Sequence, residues 1–322
     1  MARVEDMVRI RDELIDAYKW GEEMRARAQV FQLGGEPDAI RAELEAMLED
    51  SYGLARQAAA FGLGELGGAA SARRLAQQLL IEEAREDYDG EAVVEAIVEA
   101  LGCINEPGAR DSLVRRLDRL MDKSPERSDI NVLARALWRR RHPDLIPAVR
   151  RSLARGSLPK PNGLNGLLLL LEKSPEELGE WIREPTVPVE TKTEILAVLG
   201  EDLPDAWVSP LLAFITAAQD LRTQAVSERG EAAYFCERLF GMLLAYWERI
   251  RAVLPQAVRA ELHQLARSLV AATSIGCAMK AASMLKLVGR PEDVKELEAH
   301  RPADPIFAED FDEAIQVLRN LH

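Results

Sequence analysis

The sequence predicts an all-α protein, a right-handed α-solenoid in which helical pairs stack into an α–α superhelix. Three observations carry this expectation. Residues 54–66 and 91–104 are two stretches of small and aliphatic residues, each ending in a Leu-Gly step and each followed by a tight turn and a second helix with apolar residues at helical spacing. When Leu63-Gly64-Glu65-Leu66 is laid over Leu101-Gly102-Cys103-Ile104, Leu75 falls on Leu113 and Leu79 on Leu117. Self-similarity of this kind is the signature of stacked supersecondary units. A Leu-Gly step or its equivalent then recurs near Leu63, Leu101, Leu137, Leu169 and Leu199, at steps of roughly 30–38 residues, the range of helix-pair solenoids.

Taken in order, residues 3–32 suit one amphipathic helix broken near Gly21, with Val4, Met7, Val8, Leu14 and Tyr18 on one side. Gly34-Gly35 and Pro37 end this segment, and 1–36 is expected to cap the array. Residues 38–50 place Ile40, Leu44, Met47 and Leu48 on one helix face. The stretch 54–66 is almost free of polar residues and contains Gly62 and Gly64. Glycine inside a helix costs about 1 kcal/mol against alanine, so two of them point to a neighbouring helix in close approach, as in the inner row of a stack. Gly67-Gly68 turns the chain into 69–85. Residues 82–89 hold Glu82, Glu83, Glu86, Asp87 and Asp89 and read as a solvated loop, because the alternating spacing of a calcium loop is absent.

The next pairs are 91–104 with 109–121, and 129–141 with 145–153, joined by Pro107-Gly108 and His142-Pro143-Asp144 turns. A connector at 156–163 holds Pro159 and Pro161. A compressed repeat follows at 164–182, where Ser174-Pro175-Glu176-Glu177 reads as an N-cap, proline at the first helical position and early acids. Residues 190–199 and 207–218 make another pair, closing the array predicted for 37–220. Residues 221–254 contain no proline or double glycine and suit one long helix or two abutting ones. Phe235, Leu239, Met242, Tyr246, Ile250 and Val253 stripe it, flanked by Tyr234, Phe240 and Trp247. In the C-terminal region, 221–322, a degenerate repeat returns near 274–300, with Pro291 falling on Pro107. Residues 303–309 read as irregular, and 310–321 as a closing helix.

The unit made by Leu63–Leu79 and Leu101–Leu117, a small-residue helix ending in Leu-Gly-x-[Leu/Ile] followed by a turn and a helix of spaced aliphatics, resembles the HEAT-like repeats of bacteria, including those of phycobilin lyases. Leu137–Leu153 and Leu285–Leu297 carry the pattern in part. The resemblance implies a long curved surface presented, most often, to another macromolecule, and in a minority of such arrays an enzymatic or chromophore-handling role. The matching positions are packing positions, so it transfers no functional residue.

Composition bounds the chemistry. The net charge of −13 over 322 residues argues against a general nucleic-acid binder, whose phosphate contacts need surplus cations, and suits a basic partner. Cys103, Cys236 and Cys277 are widely spaced without a Cys-x-x-Cys motif and are expected as buried free thiols of a reducing cytosol. The charged N-terminus lacks the apolar run of a signal peptide, and no apolar stretch is long enough to span a bilayer, so the expected location is cytoplasmic, away from the membrane. His142, His263, His300 and His322 have no helical-spacing partners that would hold a metal. Gly62–Gly68 mimics a dinucleotide fingerprint but ends a helix with no strand before it. No catalytic residue, cofactor or metal is expected, and the chain is read as not an enzyme.

One asymmetry stands out. Residues 110–160 carry net +8, leaving −21 on the remainder. These arginines read as salt bridges between repeats, as a basic stripe that docks an acidic protein, or as a nucleic-acid contact of the kind made by HEAT-like DNA glycosylases. The candidate partner-binding residues are Arg115, Arg116, Arg119, Arg139, Arg140 and Arg150, with Tyr234 and Trp247 from the aromatic helix. The expected function is a protein-binding scaffold or adaptor that presents a curved helical surface. The alternatives are an inhibitor or immunity-type protein that wraps its partner, and a HEAT-like lyase or nucleic-acid-modifying enzyme.

Overall fold

The structure, a computed structural model, describes residues 2–85, 88–122, 125–155, 158 and 162–321. Among these there are nineteen α-helices, two short 3-10 turns and no strand. The chain is an α-solenoid made of two compact units, 1–167 and 168–322.

In the first unit α1 (Ala2–Lys19) and α2 (Glu23–Val30) precede α3 (Pro37–Met47), α4 (Gly53–Leu66), α5 (Gly68–Glu83), α6 (Tyr88–Cys103), α7 (Pro107–Met121), α8 (Arg127–Arg139) and α9 (Leu145–Ala154). The N-terminal break falls at Gly21, which has φ 68°. From α4 onward the helices alternate between two rows. One row stacks α4 on α6 and α6 on α8, and the other stacks α5 on α7 and α7 on α9. The first row is the inner one by composition: Ala58, Ala59, Ala60, Leu63, Val93, Ile97, Leu101, Leu133 and Leu137 are all buried.

The Leu-Gly landmark has a steric cause. A Cβ built on Gly64 would lie 3.0 Å from Cα of Ala100, and one on Gly102 would lie 3.0 Å from Cα of Ala136. Each glycine thus lets the end of one inner helix touch the backbone of the next, and the glycine–alanine contact repeats from α4–α6 to α6–α8. The turn after α4 needs glycine for a different reason. Gly67 and Gly68 have φ 68° and 82°, a left-handed conformation that a Cβ strains.

α10 (Gly163–Glu172) crosses from the first unit into the second. The second unit continues with α11 (Pro175–Arg183), α12 (Val189–Leu199), α13 (Leu211–Ser227), α14 (Glu231–Ala245), α15 (Trp247–Val253), α16 (Gln256–Leu269), α17 (Ile275–Val288), α18 (Val294–His300) and α19 (Pro305–Arg319). Here one row runs α12, α14, α17, α19 and the other α11, α13, α16. α11 starts as its sequence requires. Ser174 Oγ accepts the Glu177 amide at 3.2 Å and Glu177 Oε2 accepts the Ser174 amide at 2.8 Å, a complete capping box. These bonds hold the Glu177 carboxyl below its ordinary range.

Several expectations are corrected. The stretch 221–254 is neither one helix nor two abutting ones. It contains the end of α13, a break at 228–230, then α14 and α15, which meet at Tyr246. Glu228-Arg229-Gly230 stops α13 without proline or paired glycine, and Glu228 adopts extended backbone. Residues 305–309 are helical, because Asp304 caps α19 by accepting the Ile306 amide at 3.0 Å and Pro305 occupies the first turn. Glu82 and Glu83 belong to α5 instead of a loop, and Asp89 lies in the first turn of α6. Glu86, Asp87, most of the 156–163 connector and His322 lie outside the described residues.

Overpacking the inner row tests its geometry. Gly102→Val is expected to destabilise the first unit by about 2 kcal/mol, because the added branches meet the Ala136 backbone. The loss is read as a lowered thermal midpoint. The same change at Gly108, where a Cβ meets nothing within 4 Å, is expected to be milder.

Candidate functional site

The arginines singled out by charge are mostly occupied. Arg119 grips Glu83 with two bonds, Nε to Oε2 at 2.7 Å and Nη2 to Oε1 at 2.8 Å. Arg116 is buried beside the same carboxylate, 3.4 Å from Glu83, and 3.9 Å from Asp129. Burial pulls its guanidinium pKa down while Glu83 and Asp129 push it up. Arg139 Nη1 donates to Cys103 Sγ at 2.6 Å and Arg140 Nη1 to Asn105 Oδ1 at 3.0 Å. Arg115 bonds Ser112 Oγ within α7, at 3.0 Å. Arg150 lies on the exposed side of α9.

These partners follow the repeat period. Arg119 reaches back 36 residues to Glu83, Arg139 36 to Cys103, Arg140 35 to Asn105 and Arg155 33 to Asp122. Arg135 and Glu99, 3.7 Å apart, add another such step. Bonds between equivalent positions of successive repeats make a ladder along the unit.

Tyr234 and Trp247 belong to the second unit and do not form a joint aromatic surface. Tyr234 is 38% exposed, and its hydroxyl accepts Arg238 Nε at 2.9 Å and Nη2 at 2.6 Å. Trp247 is buried, as are Phe235, Leu239, Phe240 and Met242. Phe235 packs on Phe214 with ring centroids 6.2 Å apart. The stripe is a core face as far as Ile250, while Val253 at its end is exposed, and the structure places Trp247 and Arg116 largely beneath the surface.

The cavity that sequence reading missed lies in the first unit, among α5, α6, α7 and α8. It measures about 510 Å³. Its described lining includes the carboxylates of Glu82, Glu83, Glu91, Glu95, Glu126 and Asp129, and a single cation, Arg116. Val94, Val98, Leu120, Val132 and Leu133 give it an apolar floor, and Tyr88, 83% exposed, stands on its wall. Two of the carboxylates are already engaged, Glu83 as above and Glu82 by a buried network. Arg56 Nε lies 3.0 Å from Glu82 Oε1, Gln78 Nε2 donates to the same oxygen at 2.6 Å, and Arg56 Nη1 donates to the Asp50 and Ser51 carbonyls at 2.9 and 3.1 Å. Glu91, Glu95 and Glu126 are exposed and make no ion pair with the described residues. The groove was hidden because the acids were assigned to a loop. The 33- and 36-residue offsets from Glu83 to Arg116 and Arg119 were the available signal.

Two other groups of reactive side chains have structural roles. His263 Nε2 donates to Asp293 Oδ2 at 2.7 Å, and the same oxygen accepts the Arg290 amide at 2.8 Å. Both side chains are buried, and Arg267 Nε lies 3.5 Å from Oδ1. The histidine finds its carboxylate 30 residues away, so local spacing could not reveal it. Among the described residues no group of three or more His, Cys, Asp or Glu side chains could hold a metal, and no helix is long and apolar enough to cross a membrane. Cys236 and Cys277 are buried as expected, but Cys103 is exposed, because it ends α6 on the side that meets Arg139. Burial pushes the Cys277 thiol up to about 12 and the Cys236 thiol still higher.

The sequence matches no protein-family model and no curated protein. Two solved structures are similar over most of the chain. Human deoxyhypusine hydroxylase in complex with glycerol is 17% identical with a TM-score of 0.37, covering 98% of this chain and 96% of that one. An engineered protein is 13% identical with a TM-score of 0.30, covering 96% and 88%. The first is an enzyme, so the expectation that this chain is not an enzyme does not stand. At that identity and TM-score the match assigns it no activity.

Two outcomes check this chemistry. Arg56→Met leaves Glu82 buried with only the half-exposed Arg85, 3.5 Å away, as its cation and is expected to cost about 3 kcal/mol, whereas Arg56→Met with Glu82→Leu recovers most of that loss. Thermal unfolding of the two variants separates them. In the native protein an aromatic disulfide reagent near neutral pH is expected to modify Cys103 alone, with Cys236 and Cys277 reacting only after denaturation. Release of more than one equivalent from the folded chain would contradict the burial of that pair.

Proposed function

We propose that the chain binds another protein, as a scaffold or adaptor, and that the partner docks in the groove formed by α5 to α8. One observation carries this reading. The groove is a concave space of about 510 Å³ between neighbouring repeats, with Glu91, Glu95 and Glu126 unengaged along it, while the arginines around it are spent on bonds between repeats. A recess of this size with an apolar floor and a polar rim can receive anchoring side chains of a partner protein, the usual form of a binding hot spot. A stripe of arginines that docks an acidic protein is disfavoured, because the guanidiniums of Arg116, Arg119, Arg139 and Arg140 already have partners.

A photo-reactive amino acid placed at Ser128, which is exposed and lines the groove, tests the reading. In extracts of the native cell it is expected to form an adduct with a discrete protein. The same probe at Ile306, 74% exposed in the second unit, is the control. Adducts at Ile306 with none at Ser128 would place the partner elsewhere, and no protein adduct at either position would remove the reading.

A further inference from the structure

We infer that the occupant of the groove is a cationic segment of the partner, one that presents arginine or lysine among aliphatic residues. This inference rests on the protein-binding reading and adds the chemistry of the partner. Glu82 is neutralised by Arg56, and Glu83 by Arg116 and Arg119. Glu91, Glu95 and Glu126 remain, together with Asp129, whose nearest cation among the described residues is Arg116 at 3.9 Å. Four carboxylates facing one cavity repel one another, and a cation placed among them relieves that repulsion more strongly in a recess than on open surface.

The rest of the groove suits the stem of such a side chain. Lysine and arginine lay an aliphatic stem over apolar surface while holding the charged head in a polar rim. Here Val98, Val132 and Leu133 form the floor, and the unpaired acids form the rim. Tyr88 offers an exposed ring on the wall, and a cation over such a face gains further attraction. The cavity volume accommodates a few side chains of an extended or looped segment. An anionic segment or a nucleic-acid strand would meet the same carboxylates as repulsion.

The test uses the full chain and a labelled decapeptide with two arginines set among leucine and serine, compared with the same peptide carrying glutamates in place of the arginines. Fluorescence anisotropy is expected to show binding of the first and none of the second, with affinity falling as salt is raised. The double change Glu95→Lys with Glu126→Lys is expected to weaken binding about tenfold or more. The double change Glu5→Lys with Asp12→Lys, in the separate cleft of about 380 Å³ along α1 and α2, removes the same net charge and is expected to leave binding unchanged. Circular dichroism confirms that both variants are folded. Equal weakening by the two double variants, or binding of the glutamate peptide, would overturn the inference. A partner captured at Ser128 whose cross-linked segment is acidic or uncharged would also overturn it while leaving the protein-binding reading in place.

Discussion

The first unit depends on how closely its inner helices approach. α4, α6 and α8 meet through small residues, and at Gly64 and Gly102 the next helix comes so near that no Cβ fits without displacement of Ala100 or Ala136. This contact sets the spacing of the repeats, and the spacing places every other group. It brings α7 alongside α5, which lets Arg119 grip Glu83, and it leaves between α5, α6, α7 and α8 the space that becomes the groove.

A second consequence of that spacing is electrical. A chain with net charge −13 would be expected to present its arginine-rich segment as a positive face. The stacked repeats instead carry those guanidiniums back about one period, onto acids and amides of the preceding repeat. Arg115, Arg150 and Arg151 stay exposed on the surface, but within the groove the charge is set by the acids left over. Arg116 shows the effect most clearly, since it is the single described cation in the groove wall and is itself buried against Glu83.

The architecture was legible in the sequence because it rests on local rules. The Leu-Gly steps, the double glycine after α4, Pro107 at a helix start and the Ser174–Glu177 capping box each act within a few residues, and each appears where its chemistry requires. What escaped reading depended on partners far apart in the chain. Glu82 looked like a loop acid because its cation, Arg56, is 26 residues earlier. His263 looked isolated because Asp293 is 30 residues later. Trp247 looked like a contact residue because a helical stripe does not say which of its faces meets a neighbour. Composition also misdirected attention, since clustered arginines record charge but not the geometry that consumes it.

The ladder of bonds between repeats has a bearing on how such an array can change by recombination. Each rung joins a donor in one repeat to an acceptor about one period earlier, so no repeat in 83–155 is electrically self-contained. Excision of one helical pair would bring Arg155 or Arg119 opposite a residue that is not its partner, and duplication of a pair would supply a guanidinium with no acid to meet it. Exchange of whole modules is therefore discouraged where the rungs are densest, and drift by point substitution of both ends of a rung is the easier path. An array held this way would lose its internal similarity gradually while keeping its spacing, and from α4 to α8 the spacing is better preserved than the residues.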